Sequence, residues 1–330
     1  MNASKQICRG LGISAGIGAG LARDLAVNCE RLGYHSLWSN DEPTAAGLET
    51  LAQFAGAAPR LELGVGVLPL DRHRPVAIAA EIARLGLDPA RLCVGVGSGQ
   101  LRAPLDIVRG AVAELRELLP AGTRIVVAAM RPQLCRIGGA IADGVLLNWM
   151  LPAQAALARR WVLEGADQAG RSAPVVASYV RVAVGPGSLQ RLRDEESHYR
   201  NINQAHRRHF EALNVPLGSV GVAASTRSQV LEGLAPYHSA VDLPIVRLLT
   251  EAFRSFDCSQ KRALPRCDPP RWQRHRERPA RRIPGAGFPR PLVCGRAQPG
   301  HRQCVGTEAP TRGENSGQKS FSLCGSRVPT

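Results

Sequence analysis

The sequence predicts an α/β fold of parallel strands, either a closed barrel or a doubly wound open sheet, and three observations predict it. Short β-rich runs alternate with helix-like stretches from residue 7 to about residue 250; the runs number eight; and they are apolar almost throughout, as in Leu92-Cys93-Val94-Gly95-Val96. Unbroken apolar runs suit strands buried on both faces, and strict alternation with helices makes neighbouring strands parallel.

Taken in order, a strand over Ile7–Ser14 precedes a helix at 21–32, and His35–Ser39 precedes one at 45–57. Leu61–Leu68 leads to a helix at 76–86, and Arg91–Gly97 to one at 104–119. Arg124–Ala128 is followed by 132–142, where Pro132 stands at the expected first helical position, and Gly144–Leu147 by 153–169. Val175–Val184 opens the longest connection, with helical stretches at 188–213 and 227–236, before a last strand over Val241–Leu248. About 250 residues is a common size for a single α/β barrel.

Composition marks a seam near Arg254. Residues 1–253 hold 26 of the 42 Lys and Arg and 22 of the 27 Asp and Glu, a net +4, so residues 254–330 carry +11. That tail also holds ten of the 24 prolines and five of the nine cysteines, without an apolar period long enough to define an element. Such a segment cannot offset its conformational entropy and is expected to be disordered. A basic nucleic-acid arm is one reading of it. The preferred reading is GC-rich coding sequence translated out of frame, of which Arg271-Trp272-Gln273-Arg274-His275-Arg276 is typical. The barrel at 1–253 would then lack its last helix and expose apolar surface on its first and last strands.

Cys8, Cys29, Cys93 and Cys135 are widely spaced, which argues against zinc and against a disulfide framework. No apolar stretch reaches membrane-spanning length, and the chain is expected to be cytoplasmic. Gly12-x-x-x-Gly16-x-Gly18 before a helix looks like the nucleotide-binding turn of short-chain dehydrogenases. Those enzymes also need a Tyr-x-x-x-Lys pair, and the only lysine before the seam is Lys5.

A more specific resemblance starts at Arg31-Leu32-Gly33-Tyr34-His35-Ser36-Leu37-Trp38-Ser39-Asn40-Asp41-Glu42-Pro43 and continues in Leu61-Glu62-Leu63-Gly64-Val65-Gly66-Val67-Leu68-Pro69 with Arg74-Pro75-Val76. It extends through Arg91 to Gly99 and Ile137-Gly138-Gly139-Ala140-Ile141-Ala142-Asp143-Gly144-Val145-Leu146-Leu147-Asn148-Trp149. Together these resemble the luciferase-like monooxygenase superfamily, particularly its coenzyme F-420-dependent oxidoreductases. The resemblance implies a (β/α)8 TIM barrel with coenzyme F-420, or alternatively FMN, at the C-terminal ends of the strands, hydride transfer to or from a small organic substrate, and a homodimer. The competing expectations are an FMN-dependent monooxygenase and a non-catalytic, disrupted barrel whose tail binds nucleic acid only nonspecifically.

The candidate residues follow from that placement. Asp41 and Glu42, leaving the second strand, are the candidate proton-transfer groups, although Glu42 stands where some relatives place a histidine. Gly66 and Val67 match the bulge that backs the cofactor ring in the family. Gly97, Ser98 and Gly99 offer backbone N–H groups at a strand exit. Met130, Arg131 and Pro132 present a helix start beside a cation, the best candidate phosphate site. Arg72, His73, Asn148 and Trp149 are candidate lining for a substrate pocket, with the core an equal reading for Trp149. His206 and His209, three apart, lack the carboxylates a metal site would need, and the stretch from Gln190 to His209 reads as a solvated outer face.

Overall fold

A computed structural model of the chain describes residues 8–101 and 103–249. The tail beyond the seam, and the last helix a complete barrel would have there, lie outside the described residues. Among the described residues the elements are β1 (Gly10–Ile13), α1 (Ala19–Arg31), β2 (Ser36–Ser39), α2 (Gly47–Ala55), β3 (Glu62–Pro69), α3 (Pro75–Arg84), β4 (Leu92–Gly97), α4 (Pro104–Leu118) and β5 (Arg124–Ala128). They continue with α5 (Pro132–Ile141), β6 (Gly144–Leu147), α6 (Pro152–Gln168), β7 (Val175–Val184), α7 (Ser188–Ile202), α8 (Gln204–Leu213), β8 (Val222–Ala224), α9 (Arg227–Ala240) and β9 (Leu243–Leu248).

The strands from β1 to β7 pair in chain order, β7 pairs β9, and β9 pairs β1, every pair parallel. The sheet therefore closes as a barrel of eight strands with helices between them, a (β/α)8 TIM barrel, and the open-sheet alternative falls away. β8 stands outside the ring, pairing only with the end of β7 at Val182–Val184.

Side-chain alternation sorts each strand into two faces. Leu11, Ile13, Leu37, Leu63, Val65, Val94 and Val127 point outward and join Ala22, Ala26, Leu51, Phe54, Ile78, Val112 and Leu115 of the surrounding helices in the main core. Leu11 and Ile13 on the first strand and Val246 on the last are buried. The inward face is small on β1, β3 and β4, where Gly10, Gly12, Gly64, Gly66, Gly95 and Gly97 stand. Large side chains from other strands take up that space. A Cβ on Gly64 would overlap the Trp38 ring, and one on Gly12 would come within 2.9 Å of both Tyr179 and Arg247.

The N-terminal end of the barrel is braced. Asp143 and Asp242, each just before a strand, accept a backbone N–H with one carboxylate oxygen and an arginine with the other, Ile125 and Arg116 for the first, Val176 and Arg159 for the second. Deeper inside, Glu62 faces Arg124 at 3.2 Å and His35 at 3.4 Å, and Arg124 Nε donates to the sulfur of Cys93 at 3.1 Å. Burial pushes the Cys93 thiol up to about 11, so it stays protonated.

The structure corrects the long connection after β7. The single helix expected over 188–213 breaks at Asn203, whose side chain accepts the His206 N–H at 2.9 Å and so caps a second helix. An asparagine cap offers the backbone a bond that competes with helix continuation. Nor is this stretch only a solvated face. Glu196, His209 and Phe210 are buried, Glu196 accepting from Arg200 at 2.6 Å and from Gly218 N–H at 2.9 Å. β8, three residues long, is too short for a periodic signal, and α9 runs through Pro236 to Ala240 instead of ending at the proline.

Candidate active site

The C-terminal ends of the strands carry the candidate groups, and the loops after β2 and β3 bring three of them together. Asp41, its side chain 4% exposed, accepts from Arg72 Nη2 and from His73 Nε2 with the same oxygen, each at 2.8 Å. Its other oxygen accepts the N–H of Gly47, the first residue of α2, at 3.0 Å. Because an ionised carboxylate only accepts, His73 donates from Nε2, which leaves Nδ1 as the ring nitrogen not bonded to Asp41. Asp41 thus orients His73 more than it faces outward itself, a division of labour that the sequence reading did not make.

Glu42 stands apart from this cluster. It accepts from Asn40 Nδ2 at 2.9 Å, and Asn40 in turn accepts from the N–H of Ala15 after β1 at 3.1 Å. Glu42 therefore helps to tie the first two strand exits together.

On β3 the pairing register with β4 skips between Val65 and Leu68, and the Gly66–Val67 peptide is cis, so the bulge expected there is present. From the opposite wall Tyr179 Oη donates to the carbonyl oxygen of Gly66 at 3.1 Å. Burial pushes the phenol up to about 12, against the opposing pull of Arg247 and Arg181, so the hydroxyl keeps its proton. A Cβ on Gly66 would lie 2.5 Å from that hydroxyl and 2.6 Å from Leu146, which is why glycine is needed here.

After β4, Gly97 is buried, Ser98 half-buried and Gly99 exposed with φ +60°. A Cβ on Gly99 would overlap the carboxylate of Asp71, which accepts the N–H of Gln100 at 3.0 Å. After β5, Met130 is half-buried and Arg131 exposed, and α5 starts at Pro132. Among the described residues Arg131 makes no ion pair.

After β6, Asn148 accepts from Arg181 Nη1. The Trp149 indole is buried against Tyr199 and Phe210, with ring centroids 4.9 and 5.4 Å away, and its face meets Arg181 at 4.1 Å. Its backbone adopts φ +54° and its carbonyl accepts from His209 Nε2 at 2.7 Å. Burial, with Arg131 nearby, lowers the His209 pKa although that bond opposes the shift. Sequence reasoning missed Tyr179, Arg181 and Arg247. Two arginines in strands of otherwise apolar text were the available signal. Among the described residues no group of three or more His, Cys, Asp or Glu is placed to hold a metal ion.

Residues 6–108 match the model of the luciferase-like monooxygenase family. The match spans the first four strands of the barrel, about a third of the chain. An F-420-dependent secondary alcohol dehydrogenase, solved with an F-420–acetone adduct, is 15% identical, with a TM-score of 0.63 over 75% of this chain and 94% of that one. The coenzyme F-420-dependent tetrahydromethanopterin reductase of Methanopyrus kandleri is also 15% identical, with a TM-score of 0.59 over 73% and 93%. A type II Baeyer–Villiger monooxygenase of Pseudomonas putida, solved with FMN, is 13% identical, with a TM-score of 0.52 over 77% and 94%. At such identities the likeness is one of fold, and the barrel has structural neighbours in both cofactor groups.

Proposed function

We propose that this luciferase-like barrel is an oxidoreductase that binds coenzyme F-420 at the mouth described above and exchanges a hydride with a small organic molecule. The observation that carries the reading is the Asp41–His73 pair, 2.8 Å apart, on the strand exits that flank the Gly66–Val67 bulge. A histidine held in one tautomer beside a ring-binding bulge is what proton transfer in step with hydride transfer needs.

The residues present fit a ring with an anionic tail. Gly66, Gly95 and Gly97 keep the barrel wall free of side chains beside Val67, and Arg131 at the start of α5 offers a guanidinium and first-turn N–H groups without a competing carboxylate among the described residues. In this reading Gly66 and Val67 back the ring, Gly97 to Gly99 meet its polar edge, and Met130, Arg131 and Pro132 hold the tail. The bound ring supplies the hydride chemistry. His73 Nδ1 then takes or gives the substrate proton, Arg72 holds Asp41 in place beside it, and Asn148 helps to position the substrate.

An FMN-dependent monooxygenase is the second reading, favoured by the FMN-bound neighbour of the same fold. The two separate in one assay. The full chain is mixed with F-420 and a panel of alcohols without oxygen, and with reduced FMN and oxygen. Bleaching of the deazaflavin absorption with an alcohol supports the first reading; oxygen uptake with FMN and no bleaching replaces it with the second.

A further inference from the structure

We propose that Arg181 and Arg247 form an anion subsite at the barrel mouth, and that the small molecule turned over there carries a carboxylate or phosphate group. Turnover of that molecule rests on the function proposed above; the anion binding does not.

The two arginines are register partners on β7 and β9, both facing the barrel interior, 2% and 8% exposed. A buried guanidinium is costly unless a counter-charge compensates it. The fold supplies one elsewhere: Arg124 faces Glu62, and the buried Glu196 holds Arg200. Neither Arg181 nor Arg247 has a carboxylate within 4.0 Å among the described residues. Glu195 acts on Arg181 only from farther away, while Arg247 and Arg181 oppose each other's charge.

Their partners are neutral. Arg247 donates to the Ile13 carbonyl at 3.3 Å and to Ser14 Oγ at 3.4 Å, both long bonds. Arg181 gives one nitrogen to Asn148, keeps Nε without an acceptor, and lies 4.1 Å from the Trp149 ring and 5.0 Å from that of Tyr199. Two adjacent guanidiniums beside aromatic rings, Arg181 with Nε unpartnered and Arg247 bonded to neutral groups that include Tyr179, suit a carboxylate or phosphate bound through paired hydrogen bonds. Between them stands Tyr179, 5.5 Å from Arg247 and 5.8 Å from Arg181, whose hydroxyl touches Gly66. The anion is therefore held next to the bulge where the ring is expected.

The test uses the full chain, titrated with sodium phosphate and separately with sodium acetate at constant ionic strength against chloride, and read by tryptophan fluorescence because Trp149 abuts Arg181. The proposal expects a saturable change with at least one anion, lost in Trp149→Phe, with the dissociation constant raised about tenfold or more in Arg247→Gln and largely restored in Arg247→Lys. A response to phosphate alone assigns a phosphate ester, and to acetate alone a carboxylate. No saturable change beyond chloride, or a wild-type response in Arg247→Gln, overturns it. Should Arg247→Gln not fold, the wild-type melting midpoint decides: an anion-induced rise that Arg247→Lys shares supports the subsite, and no rise sinks it. Anion binding by a chain that binds neither F-420 nor FMN would sink the oxidoreductase reading and leave the subsite standing.

Discussion

The hydroxyl of Tyr179 reaches across the barrel and donates to the carbonyl oxygen of Gly66 at 3.1 Å, joining β7 to β3 at the depth where the ring is proposed to lie. Removing it in Tyr179→Phe leaves a buried carbonyl without this partner, which costs about 1–3 kcal/mol. The expected result is a lower denaturation midpoint with an unchanged denaturant slope, together with weaker cofactor binding. An unchanged midpoint would mean that Gly66 is held by its strand alone.

Asp41→Asn keeps the shape of the side chain but loses the charge that orients His73. The expected outcome is a fall in kcat of about 10²-fold or more, the range for a misplaced general acid or base, with little change in cofactor affinity. Steady-state kinetics would check it. Equal kcat in the variant would reduce Asp41 to a brace for α2.

How much of this was readable in the sequence depends on what each motif does. The stretch from Ile137 to Trp149, one of the motifs that carried the resemblance, is largely a packing device. Gly139 faces the backbone of Val162 on α6, Gly165 faces the backbone of Arg136 on α5, and Asp143 braces β5. Small residues at a close helix crossing leave a clear pattern, so the barrel was legible. The candidate groups that follow strand order, Asp41, His73 and Gly66, could be placed at the C-terminal ends of the strands from sequence alone. Trp149 was left open between pocket and core because its environment comes from Tyr199 and Phe210, about fifty and sixty residues on. Arg181 and Arg247 were missed for a similar reason: nothing in a single strand records which residue will stand opposite it once the barrel has closed.

Glu62→Gln tests the buried network at the other end of the barrel. It removes the charge facing Arg124 and His35 and is expected to destabilise the fold by about 3–5 kcal/mol, the usual cost of stranding a buried partner. Chemical denaturation would measure the loss. Residual folded protein should bind cofactor normally, since the network lies at the far end from the site.

Acid should weaken the fold through His206 and His238, both lowered to about 4, first by burial, and further by His209 and Arg181 for the one and by Arg9 for the other. Unfolded, each titrates near 6.5, so below that pH the unfolded chain takes up protons that the folded chain refuses until about 4. Their contribution is therefore level above about pH 6.5, falls as pH drops toward about 4, and levels off below it. Both side chains are only half-buried, which limits the loss to the order of 1 kcal/mol each. Melting midpoints across this range should flatten in the His206→Gln, His238→Gln double variant.

The central claim is that the mouth over Gly66 and Val67 binds a deazaflavin, and equilibrium fluorescence titration of the full chain with coenzyme F-420, and separately with FMN, tests it most directly. The account predicts saturable binding of F-420 that is weakened in Tyr179→Phe and in Arg131→Gln, with FMN bound more weakly. Binding of neither by a folded protein, or tight binding of FMN alone, would contradict it.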